Sequence, residues 1–133
     1  VQNYALLYDR TVFDNVELPL KYSGISRRKR EEMTLDVLEQ VGLDDLEQKF
    51  PYELSGGECQ RVAIARAIVN NPGIILADEP TGALDEETEK TIMEILFSLN
   101  GEGKTIIVVT HDSQIAERFN RIVYLKNGEI IKN

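Results

Sequence analysis

Residues 54–61 read Leu-Ser-Gly-Gly-Glu-Cys-Gln-Arg. Ser55 and Glu58 form an S-x-x-E capping box, which predicts that a helix starts here. Gly56 and Gly57 put no side chain beside the cap, so backbone N–H groups at the helix N-terminus can face an anion such as a phosphate. The plainer alternative is an ordinary capped helix. A capping box alone would favour that alternative, whereas the complete octapeptide favours an anion site.

A second informative stretch, residues 73–80, reads Gly-Ile-Ile-Leu-Ala-Asp-Glu-Pro. Its apolar run predicts a buried strand over 73–77, and Pro80 ends that strand. Asp78 and Glu79 follow directly, at the strand end where parallel sheets bind their ligands. The alternative for an isolated Asp-Glu pair is a solvent-facing acidic turn.

Apolar strands alternate with helices, which predicts an α/β fold whose strands are covered on both faces. Ser26 is expected to cap a helix that ends at Gly42. The basic run 27–30 is interpreted as a solvated face with intrahelical ion pairs, with a binding patch as the alternative. Asn127-Gly128 predicts a β-hairpin. The remaining helices are expected at 14–22, 55–71, 86–99 and 113–119, and the strands at 73–77, 105–109, 121–126 and 129–132.

Length, charge and cysteine content limit the domain count and the possible functions of the chain. The chain has 133 residues, and 15 basic against 23 acidic side chains give a net charge of −8. This length favours one domain at most, and the charge argues against nucleic-acid binding because a negative surface repels phosphate backbones. The single cysteine, Cys59, excludes an internal disulfide framework and a cysteine-rich zinc site. No apolar run approaches the roughly 18 residues that a membrane-spanning helix needs.

Two further residues lie at chemically useful positions. His111 is the sole histidine, and it follows the apolar strand 105–109, so it too is expected at the C-terminal end of a strand. Asp85 precedes the helix that starts at Glu86 and can cap it. A lone histidine and a capping aspartate usually have structural roles. A functional role for His111 and Asp85 is therefore indicated only in combination with the other motifs.

Taken together, these motifs resemble the ATP-binding subunits of ABC transporters. The octapeptide resembles the LSGGQ signature motif, and 73–80 resembles the Walker B motif of P-loop ATPases. Residues 81–85 are similar to the D-loop, and Gln2 with 11–16 is similar to the Q-loop. The implied fold is a P-loop NTPase-like α/β domain. Residues 1–53 would form the Q-loop and helical subdomain, and 54–133 the signature helix, Walker B, D-loop, switch histidine and C-terminal strands.

The resemblance also implies roles for individual residues. Asp78 would hold Mg²⁺, Glu79 would act as general base, and His111 would hydrogen-bond the γ-phosphate of ATP. Gln2 would sense Mg²⁺ or the attacking water. The remaining nucleotide contacts would come from Ser55, Gly56, Gly57, Glu58 and Asp85.

The same resemblance implies cofactors and partners. ATP and Mg²⁺ are the expected cofactors. A second ATPase subunit and a membrane-spanning transporter subunit are the expected partners, with no nucleic acid. The expected location is cytoplasmic, on the inner face of the cell membrane.

The phosphate-binding loop G-x-x-x-x-G-K-[ST] is not found in the 133 residues. Gly103-Lys104-Thr105 resembles the end of such a loop, but Ser98 stands where the first glycine belongs. The segment also leaves a helix and enters a strand, the reverse of the P-loop order. We expect the Walker A loop and its strand to lie upstream, the strand running between those at 105–109 and 121–126. The chain alone is then expected to be inactive.

The segments LADEPTGALD and TVFDNVELPL are most similar to the branch of the family that serves lipoprotein release, macrolide efflux and antimicrobial-peptide export. Two alternatives stay open. One is a non-transport ABC ATPase of the chromosome-maintenance, DNA-repair or translation-factor type. The other is a naturally short interaction module without catalysis.

Overall fold

The fold is given by a computed structural model that describes residues 4–131. Short helices occupy the first half of this range, and two parallel strands with an intervening helix occupy the second. In chain order the elements are α1 (Val12–Glu17), a 3-10 turn (Leu18–Leu20), α2 (Arg27–Gln40), a 3-10 turn (Pro51–Glu53), α3 (Gly56–Ile68), β1 (Ile74–Asp78), α4 (Glu86–Gly101), β2 (Thr105–Val109), α5 (Ser113–Ala116), β3 (Tyr124–Lys126) and β4 (Glu129–Ile131).

The strands form two separate pairs. β1 and β2 are parallel, with Ile74 opposite Thr105 and Asp78 opposite Val109, and α4 is the crossover between them. β3 and β4 form an antiparallel hairpin. Its turn has positive φ at both Asn127 (52°) and Gly128 (79°), the geometry that makes Asn-Gly a strong hairpin signal. Within residues 4–131 the two pairs do not join into one sheet.

One hydrophobic core unites the helices with the β1–β2 pair. It contains Val16 of α1, Leu38 of α2, Val62 of α3 and Leu96 of α4, each fully buried. Ile75 of β1 is 4% exposed and faces the same core. The helical first half and the strand-bearing second half are therefore packed around a shared interior.

The prediction that the strands are covered on both faces is wrong for the described residues. Ile74 and Leu76 are 64% and 68% exposed, and Ile107 and Val109 are each 48% exposed. Side chains alternate across a strand, and helices cover only the face that carries Ile75. The apolar composition indicates strands built for burial, but within residues 4–131 nothing packs on their other face.

Several predicted boundaries also shift. The helix predicted at 14–22 is α1 followed by a 3-10 turn, because Pro19 interrupts the helical hydrogen-bond ladder. α5 ends at Ala116 rather than 119, and β3 begins at Tyr124 rather than 121. The predicted stop at Gly42 is confirmed, since its φ of 78° follows the end of α2 directly.

The basic run on α2 is partly paired. Lys29 lies 3.7 Å from Glu32 on the exposed face, and the Arg30 Nε atom lies 3.5 Å from a carboxylate oxygen of the buried Glu17. Arg27 and Arg28 are exposed. The prediction of an intrahelical ion pair on a solvated face is therefore confirmed for Lys29, whereas the Arg30 pair joins α2 to α1 and is largely buried. None of the helices in residues 4–131 is long and apolar enough to cross a lipid bilayer.

Candidate functional site

The predicted capping box at the signature stretch is present. Ser55 has extended backbone angles, and its hydroxyl accepts a hydrogen bond from the Glu58 N–H at 3.1 Å. In return, the Glu58 carboxylate accepts a hydrogen bond from the Ser55 N–H at 2.9 Å. These two bonds fix the start of α3. Ser55 and Gly56 are exposed, so the helix N-terminus is open to an anion.

Gly57 has a packing role that the sequence did not predict. It is buried, and a Cβ atom at this position would lie 2.1 Å from the Thr88 Cγ2 atom of α4. A Cβ at Gly56 would meet only the Leu84 Cδ2 atom, at an ordinary 3.5 Å. The expectation that both glycines serve to uncover backbone amides therefore needs correction: Gly57 lets α3 and α4 approach closely.

The end of β1 turns sharply at Glu79. This residue has a φ of 47°, in the left-handed region that non-glycine residues seldom adopt. Its backbone N–H donates to the Val109 carbonyl at 2.8 Å, so Glu79 still follows the strand pairing. Its own carbonyl accepts from the Gly82 N–H at 3.1 Å, which closes a turn immediately beyond it. Strained backbone of this kind concentrates at functional sites.

The side chain of Glu79 is held by the end of the neighbouring strand. One carboxylate oxygen accepts the His111 backbone N–H at 2.7 Å, and the other accepts the Thr110 hydroxyl at 3.3 Å. The His111 Nε2 atom lies 3.9 Å from the first of these oxygens, and its side chain is fully exposed. The structure thus brings together Glu79 and His111, which stand 32 positions apart in the sequence.

Asp78 completes this edge of the sheet. It is the last residue of β1 and is exposed. A single accessible carboxylate fits Mg²⁺, which proteins usually bind through one or two carboxylates together with substrate phosphates and water. Residues 4–131 contain no cluster of three or more His, Cys, Asp or Glu side chains that could enclose a metal.

Asp85 caps α4 as predicted. Its carboxylate accepts the Thr88 N–H at 2.8 Å. Hydrogen bonds from the side chain and backbone of Thr88 lower the pKa of Asp85. Thr88, to which Asp85 is bonded, also packs on Gly57, and Leu84 lies over Gly56. Residues 55–57 at the start of α3, which we call the signature turn, therefore form one continuous surface with the 81–85 loop.

Two contributors to the site were not predicted from the sequence. Thr110 supplies a hydroxyl to Glu79, and Gln60 of α3 donates from Nε2 to the Pro80 carbonyl at 2.6 Å. Gln60 is 8% exposed. A signal was available, because a glutamine in a largely apolar, buried helix must find a hydrogen-bond partner.

The other polar residues of α3 stabilise the structure locally. Arg61 donates to the Val41 carbonyl at 3.2 Å, and Arg66 donates to the Ala5 and Tyr4 carbonyls at 2.9 and 3.1 Å. Cys59 is buried, and burial, followed by the charge of Glu58, raises the pKa of its thiol. Both arginines therefore have structural roles through backbone carbonyls of other segments, and Cys59 behaves as a small buried hydrophobe.

Two remaining predictions concern the chain start and the Gly103-Lys104-Thr105 segment. Gln2 lies outside the described residues, so its predicted role stays a prediction. Lys104 precedes β2, and its ammonium group donates to the Pro72 carbonyl at 3.1 Å. This segment leaves α4 and enters β2, and the reason for rejecting it as a phosphate-binding loop is confirmed.

Comparison with known proteins identifies the family. A family profile described as ABC transporter matches residues 1–82. The chain belongs to the ABC transporter family. Among its relatives in this family is the ABC transporter ATP-binding protein YknY of Bacillus subtilis (strain 168), which is 52% identical over 130 residues. That match covers 98% of this chain and 56% of YknY.

Other ABC-family relatives extend the comparison. The macrolide export ATP-binding/permease protein MacB of Aggregatibacter actinomycetemcomitans is 52% identical over 132 residues, which is 99% of this chain and 20% of MacB. Among solved structures, the dimeric ATP-binding cassette MJ0796 bound to ADP and Pi matches with a TM-score of 0.84 and 47% identity. The match covers 99% of this chain and 59% of the MJ0796 chain. The chain therefore spans less than two thirds of each of these relatives, and its α/β fold is part of the P-loop NTPase fold of an ABC cassette.

Proposed function

We propose that this chain carries the signature motif and the hydrolytic carboxylate of an ATPase subunit that drives an ABC transporter. The observation that supports this most directly is the position of Glu79. Its carboxylate stands on a left-handed turn at the end of β1, held by Thr110 and His111 at the end of β2. Such an arrangement presents a carboxylate in a fixed direction at the strand edge where parallel sheets bind ligands.

In the proposed reaction, Glu79 removes a proton from a water molecule as the water oxygen attacks the γ-phosphorus of ATP. The bond from that phosphorus to the β,γ-bridging oxygen breaks, and ADP and phosphate leave. The two bonds from Thr110 and His111 leave other lone pairs of the carboxylate free for the water. The exposed side chain of His111 lies next to the same carboxylate and would donate a hydrogen bond to a γ-phosphate oxygen.

Mg²⁺ would be held by Asp78 together with the phosphates, because a lone exposed carboxylate suits that mode of binding. Bound there, it would neutralise charge on the phosphate oxygens. Gln2 is proposed to sense the metal or the water, as its resemblance to the Q-loop implies. Residues 1–53 are proposed to form the Q-loop and helical subdomain, and 54–133 the remainder of the site.

The open N-terminus of α3 is proposed to contact ATP bound by a second ATPase subunit. Ser55 and Gly56 are exposed there, and Asp85 lies on the adjoining surface, where a partner subunit can reach them. The dimeric state of the MJ0796 cassette supports this arrangement. MacB combines ATP binding with a permease in one protein, which supports a membrane-spanning partner and an export role. The subunit is then placed in the cytoplasm, on the inner face of the membrane.

The test is Glu79→Gln in the full-length subunit. An amide cannot accept the proton of the attacking water, and a general base contributes about 10²–10⁴-fold to rate. We expect kcat to fall by that factor while MgATP affinity stays within about twofold, a difference of only ~0.4 kcal/mol. Single-turnover hydrolysis of radiolabelled ATP and equilibrium nucleotide binding measure the two quantities separately.

Glu87→Gln is the matched control. It makes the same chemical change on the exposed first turn of α4 and should leave both quantities at the wild-type value. A Glu79→Gln subunit that turns over ATP at the wild-type rate would contradict the assignment of Glu79 as the general base.

A further inference from the structure

Gln60 of α3 makes a side-chain hydrogen bond to the turn that follows β1. Its Nε2 atom donates to the carbonyl oxygen of Pro80, 20 residues further along the chain, at 2.6 Å. Gln60 is 8% exposed and Pro80 is buried, so water does not replace this bond readily. An unsatisfied buried carbonyl is costly. The pairing therefore constrains where the Pro80 carbonyl can lie.

Pro80 directly follows Glu79, so fixing its carbonyl fixes the C-terminal side of the strained residue. On the N-terminal side, the Glu79 N–H is bonded to the Val109 carbonyl of β2. The turn that follows is otherwise closed by its own backbone bonds, from Gly82 to Glu79 and from Leu84 to Thr81. Among residues 4–131, the bond from Gln60 is the one side-chain hydrogen bond that reaches the 80–84 turn from another element.

We propose that Gln60 is a positioning residue for Glu79. Through the Pro80 carbonyl it holds the left-handed turn in the geometry that directs the carboxylate toward the attacking water. Because Gln60 and the Ser55 cap lie on the same rigid helix, the bond also ties the signature turn of a subunit to that subunit's own hydrolytic carboxylate. This inference rests on the proposed ATPase function.

The central variant is Gln60→Met in the full-length subunit. Methionine has nearly the same length and volume but no N–H donor, so the change removes the bond and preserves packing. A displaced catalytic group can cost up to about 100-fold in rate even when the substitution lies away from the chemistry. We expect kcat to fall about 10- to 100-fold with the KM for MgATP within about twofold of wild type. Gln48→Met, in an exposed loop, is the matched control and should leave both unchanged.

A double-mutant cycle with Glu79→Gln separates positioning from a general structural role. If Gln60 acts through Glu79, Gln60→Met lowers the single-turnover rate only where Glu79 is present. The residual rate of Glu79→Gln then stays within about twofold when Gln60→Met is added. If Gln60 merely stabilises the fold or the dimer, the rate falls by the same factor in both backgrounds, and the proposal is overturned. All rates are taken at a temperature where circular dichroism shows every variant fully folded.

The cycle also distinguishes this inference from the proposed function. Should Glu79→Gln leave the rate unchanged, the proposed function fails first, and the positioning proposal fails with it. Should Glu79→Gln abolish turnover while Gln60→Met retains wild-type kcat, the ATPase assignment stands and the positioning role of Gln60 is refuted.

Discussion

The two glycines of the signature stretch contribute differently, although they are adjacent and chemically identical. Gly56 is exposed beside the cap, and a Cβ atom there would make only ordinary contact with Leu84. Gly57 is buried against Thr88, where a Cβ would lie 2.1 Å from the methyl group. At the residue scale, then, the first glycine leaves the helix N-terminus accessible, and the second sets the distance between α3 and α4.

This difference predicts distinct effects on stability. Gly57→Ala should destabilise the protein by about 1–3 kcal/mol, because overpacking of a close helix contact forces the backbone or Thr88 to move. Gly56→Ala should be close to neutral. Adding Thr88→Ser to Gly57→Ala should recover most of the loss, since serine lacks the clashing methyl group but keeps the hydroxyl. Urea unfolding followed by circular dichroism measures all four proteins.

Gly56→Ala is the control for Gly57→Ala, because both substitutions change helix propensity in the same way. Equal effects of Gly56→Ala and Gly57→Ala, or no recovery with Thr88→Ser, would show that the contact with Thr88 does not limit the packing of α3 on α4.

At the element scale, α4 starts at a cap that is also on the proposed subunit interface. Asp85 accepts the Thr88 N–H at 2.8 Å, and Glu86, Glu87 and Glu89 add negative charge to the first turn. Acidic groups at a helix N-terminus are favoured by the helix dipole. The capping bond orients Asp85 and begins the helix that supports Gly57. Structural and interface roles of Asp85 are therefore compatible.

The cap predicts a pH dependence. Hydrogen bonds from Thr88 lower the pKa of Asp85 below its ordinary value of 3.8 in the folded protein. The unfolded chain then binds more protons between these two values, so this contribution to stability is complete above about pH 4 and is lost as the pH falls through the folded pKa. Asp85→Asn retains a capping oxygen. We expect it to match the wild type at pH 7 and to lose less stability between pH 4 and pH 2.5.

Urea midpoints measured across that pH range provide the test. Thr88→Val keeps the methyl contact with Gly57 but removes the hydroxyl donor, so it should flatten the acid slope in part. Identical acid slopes for the wild type and Asp85→Asn would mean that the capping carboxylate does not contribute to the pH dependence.

At the scale of the whole molecule, the signature turn and Glu79 belong to different elements, the start of α3 and the end of β1. Within residues 4–131, no hydrogen bond joins Ser55 or Gly56 to Glu79 or His111 directly. We propose that they serve two different sites of a dimer, with each subunit giving its signature turn to the nucleotide of its partner. The arrangement is a proposal, and Gly56 allows it to be tested without disturbing the core.

Gly56→Asp in the full-length subunit places a carboxylate on the exposed helix start, where it would repel a partner's triphosphate. We expect monomer affinity for ATP to stay within about twofold, and ATP-driven dimerisation to weaken by at least about tenfold, or ~1.4 kcal/mol. Analytical ultracentrifugation with and without ATP measures dimerisation. Glu87→Gln again serves as a surface control.

A mixed dimer adds a sharper measurement. One subunit carries Gly56→Asp and the other carries a substitution of its Walker A lysine, so in a trans arrangement both lesions fall in one site and the second site remains intact. One nucleotide per mixed dimer is expected. A mixed dimer with neither site filled, under conditions where the wild type fills two, would mean that the helix acts on its own subunit's nucleotide.

Much of the fold follows from local sequence signals. The capping boxes and caps at Ser55, Ser26 and Asp85 all form, because side-chain hydrogen bonds to nearby N–H groups need no tertiary partner. The hairpin at Asn127-Gly128 forms for the same local reason. The boundaries of α5 and β3 were less predictable, since packing rather than propensity sets where such short elements end.

What the sequence by itself determined is the alternation of helices and strands, the helix starts at the Ser26, Ser55 and Asp85 caps, and the presence of Asp78, Glu79 and His111 after apolar strands. Each depends on neighbours within a few positions. The tertiary structure alone decided that Thr110 and His111 bond to the Glu79 carboxylate, that Gln60 donates to the Pro80 carbonyl, and that Thr88 packs against Gly57. These contacts join residues 20 to 32 positions apart. They exist because the parallel pairing of β1 with β2 and the packing of α3 on α4 fix distances that no local pattern encodes.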